Sequence, residues 1–158
     1  MDKNLPGDDA AALARLLRGE RIAHLATLRQ DAPMASMTLY LPDEGFTAFH
    51  VHVSRLAWHT QDMAQDPRIA LSIAETDDGR ADPFTFKRIS IRGNAQQLEG
   101  EQPDLKRLWL LRFPAQAINF ELADFSFWRI VPRDARFVAG FGRIRNLSAA
   151  ELAACSKS

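Results

Sequence analysis

The 158-residue sequence has one cysteine, no excess of either charge and no long apolar run. Cys155 alone cannot form an internal disulfide, and no basic and apolar leader opens the chain, so we expect a cytoplasmic protein. Twenty basic residues balance twenty acidic ones, which removes the global attraction that nucleic acid or an anionic lipid surface needs. No run approaches the roughly 18 apolar residues of a membrane span. We predict one domain at residues 1–146 and a flexible Ala- and Ser-rich tail at 147–158.

Periodic patterns predict a mainly β chain with a few helices. Asp8 or Asp9 is expected to cap a short helix with an apolar leucine stripe, which stops at Gly19. Alternating runs bounded by turn-forming residues predict strands, and Gly93 marks a bulge in the longest one. Pro103 opens a further helix. The predicted strands span residues 21–28, 33–41 and 46–53, taken together as a three-stranded meander, then 68–74, 84–98, 125–132 and 135–138.

Six or seven short strands with helices inserted between them, and no βαβαβ rhythm, predict an antiparallel barrel of the α+β class. Barrels of this size fill their interior with side chains. A planar cofactor would therefore lie on the outside of the barrel or at a subunit boundary.

Residues 46–68 carry the most specific chemical signal, because an apolar alternating run ends there in an amphipathic helix. A helix N-terminus attracts anions, since its first N–H groups lack intrahelical partners and the macrodipole adds positive charge. Ser54 is expected to cap this helix and, with Arg55, to bind a phosphate group. His59 and Thr60 follow on one face of the helix. An arginine here opposes the dipole unless an anion compensates, so the pattern favours an anion site.

Plainer interpretations stay open for these residues. Ser54 is also explained as a simple N-cap, and His59 equally well as a core-edge ring bonded to a backbone carbonyl. His50 and His52 share one strand face, but no acid except Asp62, near His59, has the spacing of a metal ligand and there is no second cysteine, so we expect no metal site. His24 stands alone on the first strand.

Several short motifs, in this order and spacing, resemble the FMN-binding split barrels related to pyridoxamine 5′-phosphate oxidase, nearest the branch known for haem utilisation. The resemblance covers most of the chain, from about residue 13 to 143, and implies an antiparallel split β-barrel with peripheral helices. The motifs are Ser54-Arg55, His59-Thr60, Asp66-Pro67-Arg68, Ala81-Asp82-Pro83, Lys87 to Gly93, Arg112-Phe113-Pro114, Asp124-Phe125 and Phe137 to Arg143.

The resemblance implies a homodimer with FMN at the subunit interface and the flavin phosphate at the strand-to-helix corner. No catalytic acid or base can be named. The basic site that the oxidases use for pyridoxal phosphate near their C-terminus has no match here. The implied cofactor-binding residues are Ala35, Ser36, Met37, Thr38, Phe49, His50, Ser54, Arg55, His59, Thr60 and Arg88.

The resemblance therefore implies an FMN-dependent oxidoreductase that acts on a small molecule, in which the protein positions the ring and the flavin supplies the chemistry. One alternative is a haem-binding or haem-degrading protein, as in the haem-utilisation branch. Haem iron takes an axial His, Cys, Met or Tyr, and this chain has no histidine after His59. The other alternative is a flavin-binding dimer without turnover.

Overall fold

Apolar alternation in the strands builds one curled antiparallel sheet of the split-barrel type, mainly β with peripheral helices. The computed structural model describes residues 5–158. The sheet has eight strands. The runs expected at 125–132 and 135–138 form one continuous strand, and the short strands at Leu41–Pro42 and Ile144–Ser148 are additional to those expected. The strands are β1 (Ile22–Arg29), β2 (Ala32–Leu39), β3 (Leu41–Pro42), β4 (Phe49–Ser54), β5 (Arg68–Ala74), β6 (Arg88–Gln97), β7 (Phe125–Val138) and β8 (Ile144–Ser148).

Four α-helices and three 3₁₀ segments surround the described part of the sheet. None of these helices within residues 5–158 has the length and apolarity to cross a membrane. The α-helices are α1 (Gly7–Gly19), α2 (Trp58–Gln65), α3 (Pro103–Arg112) and α4 (Ala149–Ala154); the 3₁₀ segments are Pro83–Thr85, Pro114–Glu121 and Cys155–Lys157.

The strand order is β2-β1-β5-β6-β7-β4-β3, with β8 also paired to β7. The predicted three-stranded meander is confirmed only in part. β1 and β2 form a hairpin, but the predicted middle strand at 33–41 meets β4 only through Leu41, and the main partner of β4 is β7. Side-chain alternation determines which face of a strand is buried and does not determine its partner.

The predicted bulge at Gly93 is confirmed, because the register of β6 against β7 shifts between Arg92 and Gly93. A Cβ atom on Gly93 would lie 2.3 Å from the carbonyl oxygen of Val131. The two backbones approach so closely that only glycine fits without a shift.

Helix α1 ends at Gly19 as predicted, and its stripe of Leu13, Leu16 and Leu17 is buried. The predicted cap is wrong, because Pro6 occupies the N-cap position and makes no side-chain bond. Asp9 lies inside the first turn instead, 1% exposed, where it pairs with the guanidinium of Arg143. An ion pair from a distant loop, which the local pattern does not contain, therefore orients this carboxylate.

The predicted flexible tail at 147–158 is instead folded. Strand β8 pairs with β7, and Ser148 and Glu151 form a reciprocal capping box at the start of α4. Leu152 and Cys155 are 0% and 2% exposed and belong to the main core cluster. The Ala- and Ser-rich composition suggested fraying, but two apolar anchors and a cap stabilise this short helix.

Candidate functional site

The alternation that fills the barrel leaves a second set of side chains on the outside of the sheet. In β1, for example, Leu25 is fully buried while His24 is exposed. Antiparallel register aligns such outward positions in rows across neighbouring strands. We call this surface the outer face; it consists of His24, Ala26, Ala70, Ser72, Ser90, Arg92, Asp134 and Arg136, bordered by Arg68 and Arg133.

Small side chains keep the middle of the outer face flat. Ala26 is paired with Ala70 across β1 and β5, and Ser72 with Ser90 across β5 and β6. Neighbouring strands lie about 4.8 Å apart, so these four residues form a level floor. A planar group can approach the backbone here without displacing a large side chain.

Arginines surround this floor. An open cavity of about 320 Å³ is lined by Arg68, Arg92 and Arg133, and within the described residues its lining contains no acidic side chain. An adjoining cavity of about 680 Å³ shares Arg92 and Arg133 and adds Arg136 and Asp134. The arrangement suits an anionic ligand with a flat body.

Ion pairs hold two of these arginines in place and neutralise part of their charge. Arg92 donates to both carboxylate oxygens of Asp134, at 2.7 and 2.6 Å. Arg68 pairs with Asp66 at 2.6 Å. Arg133 lies 3.6 Å from the same Asp134, so three cations share two acids. The net charge at the edge of the floor is therefore positive.

The structure brings only some of the predicted cofactor residues to this surface. Ala35 and Met37 extend it, because β2 pairs them with Ala26 and His24. Arg88 lies one row farther along β6, where its side chain donates to the carbonyl oxygens of Phe84 and Phe86. The other predicted residues of these strands lie elsewhere: Ser36 and Thr38 occupy the alternate positions of β2, Phe49 is fully buried in the core, and His50 is 7% exposed on β4.

The strand-to-helix corner differs from its prediction. Helix α2 begins at Trp58 with Ala57 at the N-cap position and no side-chain cap. Ser54 therefore does not cap the helix; its hydroxyl donates to Asp124 at 2.5 Å and accepts from the N–H of Leu56. A carboxylate already occupies the hydrogen-bonding position that the sequence assigned to a phosphate.

Of the other predicted residues at this corner, Arg55 stays open to an anion. The exposed side chain of Arg55 has no hydrogen-bond or ion-pair partner among residues 5–158, although its N–H donates to the carbonyl of Asp124. His59 is half-buried, and burial lowers its pKa. Thr60 is 4% exposed, and its buried hydroxyl has no partner in the described chain. The corner thus combines an available cation with an opposing carboxylate.

His52 belongs to an aromatic cluster that sequence reasoning did not find. Its ring stacks on Phe120 with centroids 4.1 Å apart, and Phe125, Phe127 and Trp109 surround it. Burial, with a smaller contribution from the Lys106 charge, lowers its pKa from 6.5 to about 4. The ring is neutral near pH 7 and packs as an apolar side chain.

This pKa predicts that the protein loses stability in acid. Between about pH 6.5 and 4, His52 binds more protons in the unfolded state than in the folded state. The free energy of unfolding is therefore highest above this pH range and declines as the pH falls through it. We expect His52→Phe, which keeps the aromatic packing, to show a shallower decline. Urea midpoints measured from pH 7 to about pH 4 test this, and equal slopes for both proteins would refute it.

Asp62, the acid whose spacing from His59 would suit a metal ligand, instead accepts hydrogen bonds from β1. It is 3% exposed and accepts hydrogen bonds from Thr27 at 2.7 Å and Arg29 at 2.8 Å. Over residues 5–158, no group of three His, Cys, Asp or Glu side chains is placed to hold a metal ion.

The sequence contained one usable signal for the outer face that its interpretation missed. His24-x-Ala26, Ala70-x-Ser72 and Ser90-x-Arg92 each place small or polar residues at the positions between buried apolar ones. Such alternation indicates an open face on each strand. It does not show that the three faces are adjacent.

Comparison with known proteins identifies a family for this chain and two relatives whose names refer to haem. A family model described as pyridoxamine 5′-phosphate oxidase matches residues 10–139. The chain is 36% identical over 129 residues to the chloroplastic non-canonical heme oxygenase HOZ of Arabidopsis thaliana, over 79% of this chain and 38% of that protein. It is 23% identical over 137 residues to heme oxygenase HutZ of Vibrio cholerae, over 81% and 74% of the two chains.

A solved structure of a heme-binding protein from Mycobacterium smegmatis matches with a TM-score of 0.79 and 29% identity. The match covers 92% of this chain and 60% of that one. The chain therefore spans well under half of the Arabidopsis protein and three fifths of the mycobacterial one.

Proposed function

Since the chain belongs to the pyridoxamine 5′-phosphate oxidase family, we propose that it is a haem-binding protein of the haem-utilisation type and that haem lies on the outer face. The observation that carries this proposal is the arginine-lined cavity of about 320 Å³ beside a floor of small residues. Haem has a planar apolar ring and two carboxylates. The floor fits the ring, and Arg68, Arg92 and Arg133 fit the carboxylates as charge-assisted donors.

Haem degradation is the reaction that follows from this proposal, by analogy with the two relatives named as oxygenases. Bound haem would supply redox-active iron for reaction with oxygen. The chain's own part is to bind the carboxylates, orient the ring on the floor and keep the ring in one position. Visible spectra of the haem complex with a reductant and oxygen test for turnover.

The binding proposal predicts a large effect of the rim arginines. We expect Arg68→Ser combined with Arg133→Ser to weaken haemin binding about tenfold or more, since two partly exposed charge-assisted contacts together contribute roughly 1.4 kcal/mol or more. Absorbance titration with haemin measures this affinity.

A matched control replaces two exposed arginines away from the outer face, Arg15→Ser with Arg107→Ser. These substitutions remove the same total charge. If they weaken haemin binding as much as the outer-face pair does, the attraction is general electrostatics and the outer face is not the site.

FMN is the second candidate cofactor, because the corner offers the exposed and available cation of Arg55. If the flavin phosphate binds there, Arg55→Glu should abolish binding, since it exchanges attraction for repulsion. Quenching of FMN fluorescence during titration measures this. Unchanged affinity in the variant would exclude the corner, and Asp124→Asn, which removes the opposing charge, should tighten a genuine phosphate site.

We also propose a homodimer. The outer face is a single exposed layer that covers only one side of a planar ligand, and a second copy of the chain would cover the other. The molar mass in solution, with and without haemin, tests this.

A further inference from the structure

We infer that a further cavity, separate from the outer face, binds a small aromatic molecule that carries a carboxylate. We call it the aromatic cavity; it is open to solvent and has a volume of about 350 Å³. Among the described residues, its lining shares no member with either cavity of the outer face. The inference therefore goes beyond the proposed haem function and does not depend on it. The lining includes His52, Leu98, Lys106, Phe120, Phe125 and Phe127.

The chain forms this cavity on the side of β4 and β7 that faces away from the barrel interior. His52 alternates with buried core residues of β4 and is paired with Phe127 of β7. Trp109 of α3 and Phe120 of the second 3₁₀ segment pack against this pair. The cover is incomplete, because His52, Phe120 and Phe125 stay only half-buried.

The walls of the aromatic cavity suit a flat apolar body. The ring centroids of Phe120 and Phe127 are 5.7 Å apart, and those of His52 and Phe127 are 4.6 Å apart. Aromatic rings attract one another at such separations, so a further ring in the cavity gains the same contacts. The volume is within the range of small-molecule sites, roughly 300–1,000 Å³.

His52 contributes a polar group whose hydrogen-bonding capacity is unused. Its ring makes no hydrogen bond within residues 5–158, and its Nδ1 is buried without a partner. Buried polar atoms of folded proteins are normally paired. The neutral imidazole has one donor and one acceptor nitrogen, so it can bind a polar ligand group without adding a charge to the cavity.

Lys106 determines the ligand charge that the aromatic cavity favours. Its ammonium group lies 5.0 Å from the ring centroid of Phe120 and forms no ion pair within the described chain. A cationic ligand would meet this ammonium group over the same ring and be repelled. A carboxylate would instead gain a charge-assisted partner.

Glu101 also lines the cavity, and its exposed carboxylate opposes an anion. The effect at the aromatic wall is nevertheless that of Lys106. After burial, the charge of Lys106 is the second cause that lowers the pKa of His52, and the charge of Glu101 is not among the causes. The wall therefore combines stacked rings with a nearby positive charge, which is the environment that an aromatic carboxylate requires.

The test uses naphthaleneacetate, with naphthaleneacetamide as its uncharged analogue of nearly the same shape. Titration calorimetry of the full chain near pH 7 is expected to show saturable binding of naphthaleneacetate and weaker binding of the amide. The ring-proton NMR signals of His52, assigned by their loss in His52→Phe, should shift as naphthaleneacetate is added. That shift reports on this cavity alone.

Two substitutions locate the ligand. Lys106→Gln should weaken binding of naphthaleneacetate about fivefold, the upper range for an exposed ion pair, and leave the amide nearly unaffected. Ser126→Leu, which fills part of the cavity, should abolish binding of both compounds. Arg107→Gln removes an exposed charge next to Lys106 but outside the lining and is the matched control. Circular dichroism confirms that each variant is folded.

The inference is overturned if naphthaleneacetate shows no saturable binding, or if Lys106→Gln binds it as tightly as wild type does. It is also overturned if the combined Arg68→Ser and Arg133→Ser variant loses this binding, since the ligand would then lie on the outer face. Haemin affinity should be the same in Ser126→Leu as in wild type. A failure of the haem proposal therefore leaves this site standing, and a failure of this site leaves the haem proposal standing.

Discussion

Replacing Asp62 by alanine is expected to lower the free energy of unfolding by about 2–3 kcal/mol. Asp62 is 3% exposed and accepts from Thr27 at 2.7 Å and Arg29 at 2.8 Å. Removing one partner of a buried ion pair typically costs about 3–5 kcal/mol, and the smaller value here reflects the Arg29 side chain, which is 27% exposed and can turn to water. Urea denaturation near pH 7 measures the change.

Two further variants separate the contributions. Asp62→Asn keeps an acceptor for Thr27 and loses the ion pair, so its stability should fall between wild type and Asp62→Ala. Asp78→Ala breaks the exposed pair with Arg80 and should have little effect. If Asp62→Ala unfolds at the same urea concentration as wild type, the pair between α2 and β1 does not stabilise the fold.

Arg112→Ala is the second substitution with a large expected effect, about 2–4 kcal/mol. The Arg112 guanidinium donates to three carbonyl oxygens, those of Arg18, Glu20 and Tyr40, and so joins the end of α3 to the end of α1. Hydrogen bonds from a charged donor contribute about 1.5–3 kcal/mol each, and partial exposure reduces the sum. A cation at the C-terminus of α1 also interacts favourably with the negative end of the helix dipole.

The control for Arg112 lies on the same helix. Arg107→Ala removes an exposed guanidinium from α3 and should leave stability nearly unchanged. Arg112→Lys should recover only part of the loss, because an ammonium group cannot reach three carbonyls with one planar fork. Equal stability of Arg112→Ala and Arg107→Ala would show that the carbonyl contacts contribute nothing. Thermal and urea denaturation provide the comparison.

The candidate site was only partly predictable. Ala35, Met37 and Arg88, which the family resemblance assigned to cofactor binding, lie on or beside the outer face. Their role in binding a cofactor stays a prediction. Ser54 failed in its predicted capping role because Asp124 is its partner, 70 residues later in the chain. No pattern around Ser54 contains information about a carboxylate so distant.

The tail shows the opposite case, in which local signals for a folded segment are present in the sequence. Ser148 and Glu151 have the spacing of a capping box, and Leu152 has the apolar character of a core residue. Composition alone suggested disorder, because Ala and Ser dominate. The cap and the buried leucine were the better indicators, since each stabilises a specific conformation.

By itself, the sequence determined the local features of this protein: the strand alternation, the leucine stripe of α1 with its stop at Gly19, and the glycine bulge of β6. These follow from the geometry of neighbouring residues, which a short segment contains in full. The tertiary structure decided the pairing of β4 with β7 and the meeting of Arg68, Arg92 and Arg133 at one cavity. Those contacts join residues far apart in the chain, and their free energy exists only after the whole sheet has curled and every strand has taken its partner.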